Sequence, residues 1–165
     1  MREGGNWIPY AIRVVEVVKF MLAGKMRSLL IVDDEIGIRE SLKIILKNDY
    51  EVFLAKNAEE AFSQIEEHSP VVILLDINLP DRDGLAVLER IKQNDPNIIV
   101  IVMTGSATAE VAPEARKLGA YGCVPKPFDI RELRLTIAQS LSGKALFTST
   151  GDYQLPHCLA VEDKV

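Results

Sequence analysis

VVILLD, residues 71–76, sets five consecutive Val, Ile and Leu residues against a closing aspartate. The run is too short for a helix, and its lack of alternation marks a strand buried on both faces, as in a parallel sheet covered by helices. Working outward, the same kind of run recurs at Leu29 to Val32, Val52 to Leu54, Ile98 to Val102 and Tyr121 to Val124. Between these lie windows with helical spacing. Ile36 to Lys47 places Ile38, Leu42, Ile45 and Leu46 on one face, Asn57 caps a helix to about Glu67, and Leu85 to Gln93 forms the next. Ala115 to Leu118 closes a fourth helix before Gly119, and Asp129 to Leu141 is the fifth. Strand and helix therefore alternate five times, which predicts an α/β domain over residues 28–141 built on a doubly wound, five-stranded parallel sheet.

The 165 residues are 48% hydrophobic and 26% charged, enough for one globular domain that buries roughly 70% of its unfolded surface. Nineteen Lys and Arg against 24 Asp and Glu give a formal charge of -5, so no bulk positive field exists to bind nucleic acid or anionic lipid directly. Cys123 and Cys158 lack metal-ligand spacing and are too few for a disulfide framework, which excludes a zinc site and points to a reducing cytoplasm. Residues 1–27 form an N-terminal extension whose apolar part, Ile8 to Leu22, is broken by Arg13, Glu16 and Lys19. It is too short and too charged for a membrane span, and no small-residue cleavage site follows it. Its charges share one helical arc, so either it is an amphipathic docking or dimerisation helix, or translation starts at Met26. Residues 142–165 turn to Gly, Ser, Thr and Pro with little periodicity and read as a flexible tail or linker.

In a doubly wound sheet, function lies beyond the carboxyl ends of the strands. Asp33 and Asp34 close the first strand, Asp76 the third, Thr104 lies just past the fourth and Lys126 just past the fifth. An aspartate after a strand is often a helix cap, which would account for Asp33 alone but not for the set. Three convergent carboxylates repel one another unless a hard divalent cation, with Mg²⁺ the best fit, bridges them.

LLIVDDE at 29–35, VILLDINLPDRDG at 72–84, VIVMTGS at 100–106 and KPF at 126–128 occur in an order and spacing that resembles the receiver domain of two-component response regulators. The resemblance covers residues 28–141. It implies a flavodoxin-like sheet of order 2-1-3-4-5, phosphorylation of Asp76, and self-catalysed phosphotransfer with slow autodephosphorylation rather than an enzyme proper. It further implies Mg²⁺ held by Asp34, by Asp33 through water, by Asp76 and by the Asn78 main-chain carbonyl. Lys126 would neutralise charge on the phosphoryl oxygens, aimed by a cis bond to Pro127, and Thr104 would donate its hydroxyl. The implied partners are a sensor histidine kinase or phosphotransfer protein, an effector protein of unknown identity and, as a candidate assembly, a homodimer.

Two positions depart from the receiver pattern. Cys123 stands where receivers carry a Tyr or Phe three residues before the lysine, and Tyr121, expected on the same strand face as Cys123, reads as a packing residue. Pro113 falls where the fourth helix should be running, so that helix is expected to begin near it, with proline in the first turn. These departures leave open a pseudo-receiver used only for protein interaction, and the tail leaves open the amino-terminal portion of a longer regulator. Other readings fail on spacing. Pro80 and Asp81 occupy positions that a calcium loop opening at Asp76 needs for a ligand and a glycine. Asp81-Arg82-Asp83-Gly84 does not end a strand as a haloacid dehalogenase-like phosphatase requires, and reads instead as a turn with solvated carboxylates. His68 reads as a helix-end residue, and His157 and Cys158 have no partner spacing.

Overall fold

The structure is a computed structural model and describes residues 26–105 and 108–143. The amphipathic segment within 1–25 and nearly all of the 142–165 tail, with His157 and Cys158, lie outside the described residues. Among the described residues, ten elements alternate: β1 (Arg27–Val32), α1 (Ile36–Leu46), β2 (Tyr50–Ala55), α2 (Ala58–His68), β3 (Val72–Asp76), α3 (Gly84–Asn94), β4 (Ile99–Thr104), α4 (Thr108–Lys117), β5 (Gly122–Pro125) and α5 (Ile130–Leu141). The strands form one parallel sheet in the order β2-β1-β3-β4-β5.

Strand alternation sorts the apolar residues onto two faces. Leu30, Val32, Ile73, Leu75, Val100, Val102 and Cys123 pack with Ala58 and Ala61 of α2, Val87, Leu88 and Ile91 of α3, and Ala112 and Ala115 of α4. Leu29, Ile31, Val72, Leu74, Ile101, Met103 and Val124 pack on the other face with Leu42 and Leu46 of α1 and Leu133 and Ile137 of α5. Register then positions the site. Ala55, Val32, Leu75, Val102 and Cys123 form one row across all five strands. One residue further along β1 and β3, this apolar row gives way to Asp33 and Asp76.

The helix starts follow local polar chemistry. Asn57 Oδ1 accepts the Glu60 amide at 2.8 Å, Asp83 Oδ1 accepts that of Leu85 at 3.0 Å, and Asp129 Oδ1 accepts that of Arg131 at 2.7 Å. His68 ends α2 as its spacing predicts, and its ring stacks on Phe53 with centroids 3.7 Å apart.

Two expectations are corrected. The fourth helix does not begin near Pro113: it runs from Thr108, with Pro113 in its interior. Val111 and Ala112 pack against the core ahead of the proline, and that tertiary burial outweighs the hydrogen bond proline removes. Tyr121 does not share a face with Cys123. It precedes the first β5 pair, Ile101 with Gly122, so strand alternation does not govern it, and it packs against the α1/α5 side while Cys123 lies on the other.

Candidate functional site

At the carboxyl edge of the sheet, Asp33 directly follows β1, Asp76 ends β3, Thr104 ends β4 and Lys126 directly follows β5. Asp33 and Thr104 are fully buried and Asp76 is 3% exposed, whereas Asp34 faces solvent. Lys126 lies between the two buried acids, its Nζ 2.6 Å from Asp33 Oδ2 and 2.6 Å from Asp76 Oδ2. The Glu35 carboxylate stands 3.8 Å away at the rim. The Lys126 amide donates to the Thr104 carbonyl at 2.7 Å, and the Lys126–Pro127 peptide is cis, as the KPF motif implied.

Each acid is also fixed from its other side. Asp33 Oδ1 accepts the Glu35 amide at 2.9 Å, the Asp33 amide donates to the Ala55 carbonyl, and its own carbonyl accepts from Arg39. Asp76 Oδ1 accepts the Asn78 amide at 2.9 Å, leaving Oδ2 to Lys126.

Burial holds the Asp33 carboxyl above its ordinary value, and the hydrogen bonds from Lys126 and the Glu35 amide offset this only in part. Burial also acts to lower Lys126, but its hydrogen bonds to Asp33 and Asp76 and their charges outweigh it, so the ammonium is held above the ordinary lysine value. For Asp33 the sign is unfavourable to folding. A carboxyl whose folded pKa exceeds its unfolded value of 3.8 costs stability above the folded value, and the cost disappears below 3.8, where both states are protonated. Asp33→Asn is therefore expected to raise stability at pH 7, since Lys126 keeps Asp76. The gain should shrink as the pH falls toward 4, read from urea midpoints across pH. A variant less stable than wild type at pH 7 would contradict it.

One carboxylate oxygen from each of Asp33, Asp34 and Asp76 lies within 4.8 Å of the others. With Lys126, these groups carry a net charge of two negatives in a mostly buried cleft. Hard oxygen donors with that charge fit a hard divalent cation.

The loop between β3 and α3 is drawn tightly against the site. The Gly84 amide donates to the Ile77 carbonyl at 2.9 Å, and Asn78 pairs with Asp83 in an antiparallel bridge. A Cβ on Gly84 would lie 2.3 Å from Ile77 Cα and 2.7 Å from the Asp76 carbonyl oxygen. The carboxylates expected to be solvated here are engaged: Asp83 caps α3, and Asp81 accepts two amides from the start of α2. A cap at Asp83 was readable from Asp-Gly ahead of an apolar helix, whereas the Asp81 contact joins residues more than twenty apart and has no local signal. Arg39 and Glu35 were likewise missed as neighbours of the site.

The doubly wound sheet thus ends in two buried acids, an exposed acid and a partly buried lysine, the set that the receiver motifs implied. The response regulator receiver domain family matches residues 29–138, and the chain belongs to that family. It is 38% identical over 118 residues to sporulation initiation phosphotransferase F of Bacillus subtilis, covering 71% of this chain and 95% of that protein. It is 33% identical to the transcriptional regulatory protein ZraR of Klebsiella oxytoca over 129 residues, 78% of this chain but 29% of that protein. Among solved structures, a CheY-like receiver domain protein of Methanospirillum hungatei superposes with a TM-score of 0.69 at 34% identity, covering 72% of this chain and 96% of that one. NtrX of Brucella abortus gives a TM-score of 0.68 at 34% identity over 72% of this chain and 27% of its own. The protein is thus a receiver of two-component signalling with the 2-1-3-4-5 sheet its motifs implied, and among the described residues no helix is long and apolar enough to cross a membrane.

Proposed function

We propose that this receiver, residues 28–141, accepts a phosphoryl group on Asp76 from a phosphohistidine of a sensor histidine kinase or phosphotransfer protein, or from a small acyl phosphate. The observation that carries this reading is the position of Asp76: its Oδ2 meets Lys126 Nζ at 2.6 Å, with the Asp33 and Asp34 carboxylates alongside. An Asp76 carboxylate oxygen attacks phosphorus as the bond to the donor nitrogen or acyl oxygen breaks, and an acyl phosphate forms on the protein. The Lys126 ammonium neutralises charge gathering on the equatorial oxygens, and the Thr104 hydroxyl donates to the new group. Asp33, Asp34, Asp76 and the Asn78 carbonyl would hold Mg²⁺, which supplies further charge neutralisation when bound. The same groups assist slow hydrolysis of the acyl phosphate, so the chain is a self-catalysing phosphoacceptor rather than an enzyme acting on others.

Several features support the setting of a cytoplasmic signalling protein: the net negative charge, the cysteine usage and the relatives, one of which is named a phosphotransferase. Cys123, 2% exposed within β5, provides no ring to follow Thr104. The response therefore travels through the loop after Thr104 and α4 to an effector or a second copy. Cys123 also favours a second reading, an interaction module that is not phosphorylated, which Mg²⁺-dependent labelling by acetyl phosphate tests directly. ZraR extends well beyond the matched region, so a longer regulator is also consistent, and the reading frame after Val165 decides it.

The metal assignment predicts that Asp34→Ala weakens Mg²⁺ binding by more than about tenfold, followed through the amide resonances of residues 33–35 and 76–78. Equal affinities in variant and wild type would place the ion elsewhere.

A further inference from the structure

Asp81 is absorbed by none of the chemistry above, yet its carboxylate reaches more than twenty residues back along the chain. Oδ1 accepts the Ala58 amide at 3.0 Å and Oδ2 the Glu59 amide at 3.2 Å. These are the first two amides of α2, which have no partner within the helix. The third is taken by Asn57, whose Oδ1 accepts the Glu60 amide at 2.8 Å. A loop residue thus completes the cap of a helix that begins 23 residues earlier in the chain.

The consequence runs back into the site. The loop is held at its base by the Gly84 amide on the Ile77 carbonyl, at its waist by the Asn78–Asp83 bridge, and at its tip by Asp81 on α2. Asn78 sits in the waist, two residues from Asp76 and three from the tip, and its amide donates to Asp76 Oδ1. Without the tip contact, the four residues between the bridge partners keep the packing of Leu79 against the core but lose their hydrogen bonds to α2, and the Asn78 backbone loses one of its restraints. We infer that Asp81 is a positioning residue for the cation site: by clasping the start of α2 it holds the β3–α3 loop so that the Asn78 carbonyl is presented beside Asp76. Preorganisation of this kind raises affinity without adding a ligand. The charge of Asp81 suits the positive end of the helix. Burial acts to raise its carboxyl, but the amide hydrogen bonds outweigh that and hold it below the ordinary value.

This inference rests on the cation reading, and the test separates the two. The full chain and its Asp81→Ala, Asp81→Asn and Asn57→Ala variants are titrated with MgCl₂ while the amides of Ile77 and Asn78 are followed by NMR, with thermal midpoints recorded in parallel. Asn57→Ala removes a cap from the same helix without touching the loop, so it reports what loosening α2 does by itself. Asp81→Ala is expected to weaken Mg²⁺ binding about tenfold, Asn57→Ala to leave it within about twofold, and Asp81→Asn, which keeps one acceptor, to fall between. Unchanged affinity in Asp81→Ala, or equal weakening in Asp81→Ala and Asn57→Ala at matched loss of midpoint, would overturn it. If Asp81→Ala does not fold, Asp81→Asn carries the comparison, and equality with Asn57→Ala overturns the inference. A wild-type chain whose amides ignore Mg²⁺ would instead refute the cation reading, and the role of Asp81 with it.

Discussion

Asp76→Asn is expected to abolish phosphate incorporation from acetyl phosphate, a loss of at least about three orders of magnitude, while the fold survives. An amide oxygen has the shape of the carboxylate oxygen it replaces and still accepts the Asn78 amide, so the local backbone keeps its restraint. It lacks the negative charge that would make Asp76 a nucleophile, and among the described residues neither neighbouring aspartate stands in its place: Asp33 is fully buried and held by Lys126 and the Glu35 amide, and Asp34 faces solvent. Removing one charge from a cluster of three acids also relieves repulsion, so the denaturation midpoint should hold or rise. Intact mass after acyl-phosphate treatment checks the chemistry, and undiminished mass gain in the variant would move the phosphoacceptor away from Asp76.

Gly84→Ala should destabilise the domain by about 3 kcal/mol or more, because the added methyl meets backbone rather than side chains. All three nearest atoms, Ile77 Cα at 2.3 Å and the Asp76 and Ile77 carbonyl oxygens at 2.7 and 2.8 Å, belong to the main chain that carries the site. No rotamer change can relieve such a contact. Either α3 moves outward and uncovers Val87, Leu88 and Ile91, or the Asp76–Ile77 backbone shifts and takes the Asp76 carboxylate with it. Labelling and stability should therefore fall together. Gly37→Ala is the matching control: nothing lies within 4 Å of its Cβ position in α1, and Ala for Gly inside a helix gains up to about 1 kcal/mol. Urea denaturation of the pair measures both, and a Gly84→Ala midpoint equal to wild type would show that the loop has slack the geometry does not reveal.

The number and order of the elements and the placing of the site at strand ends were readable from residues alone, because the signals that carry them are local. A run such as VVILLD declares a buried strand within six residues, and helical spacing declares itself within two turns. Asp33, Asp34, Asp76, Thr104 and Lys126 could be assigned to one edge because every parallel strand ends on the same side of its sheet. Their family motifs then implied the strand order, which periodicity leaves open.

What only the tertiary structure decided are the interactions whose partners lie far apart in the chain. Lys126 could be placed near the acids from its motif, but its equal 2.6 Å contacts to Asp33 and Asp76 depend on β1, β3 and β5 being brought into register. Asp81 looked like one more solvated turn acid because nothing within its own loop calls for it, and its two acceptors find work only where the start of α2 arrives beside it. Pro113 is a local signal that was read correctly as local chemistry and still misplaced the start of α4, since burial of Val111 and Ala112 overrode it. Propensity and pattern act over a few residues at a few tenths of a kcal/mol to a few kcal/mol each, and packing decides wherever apolar burial of comparable size opposes them.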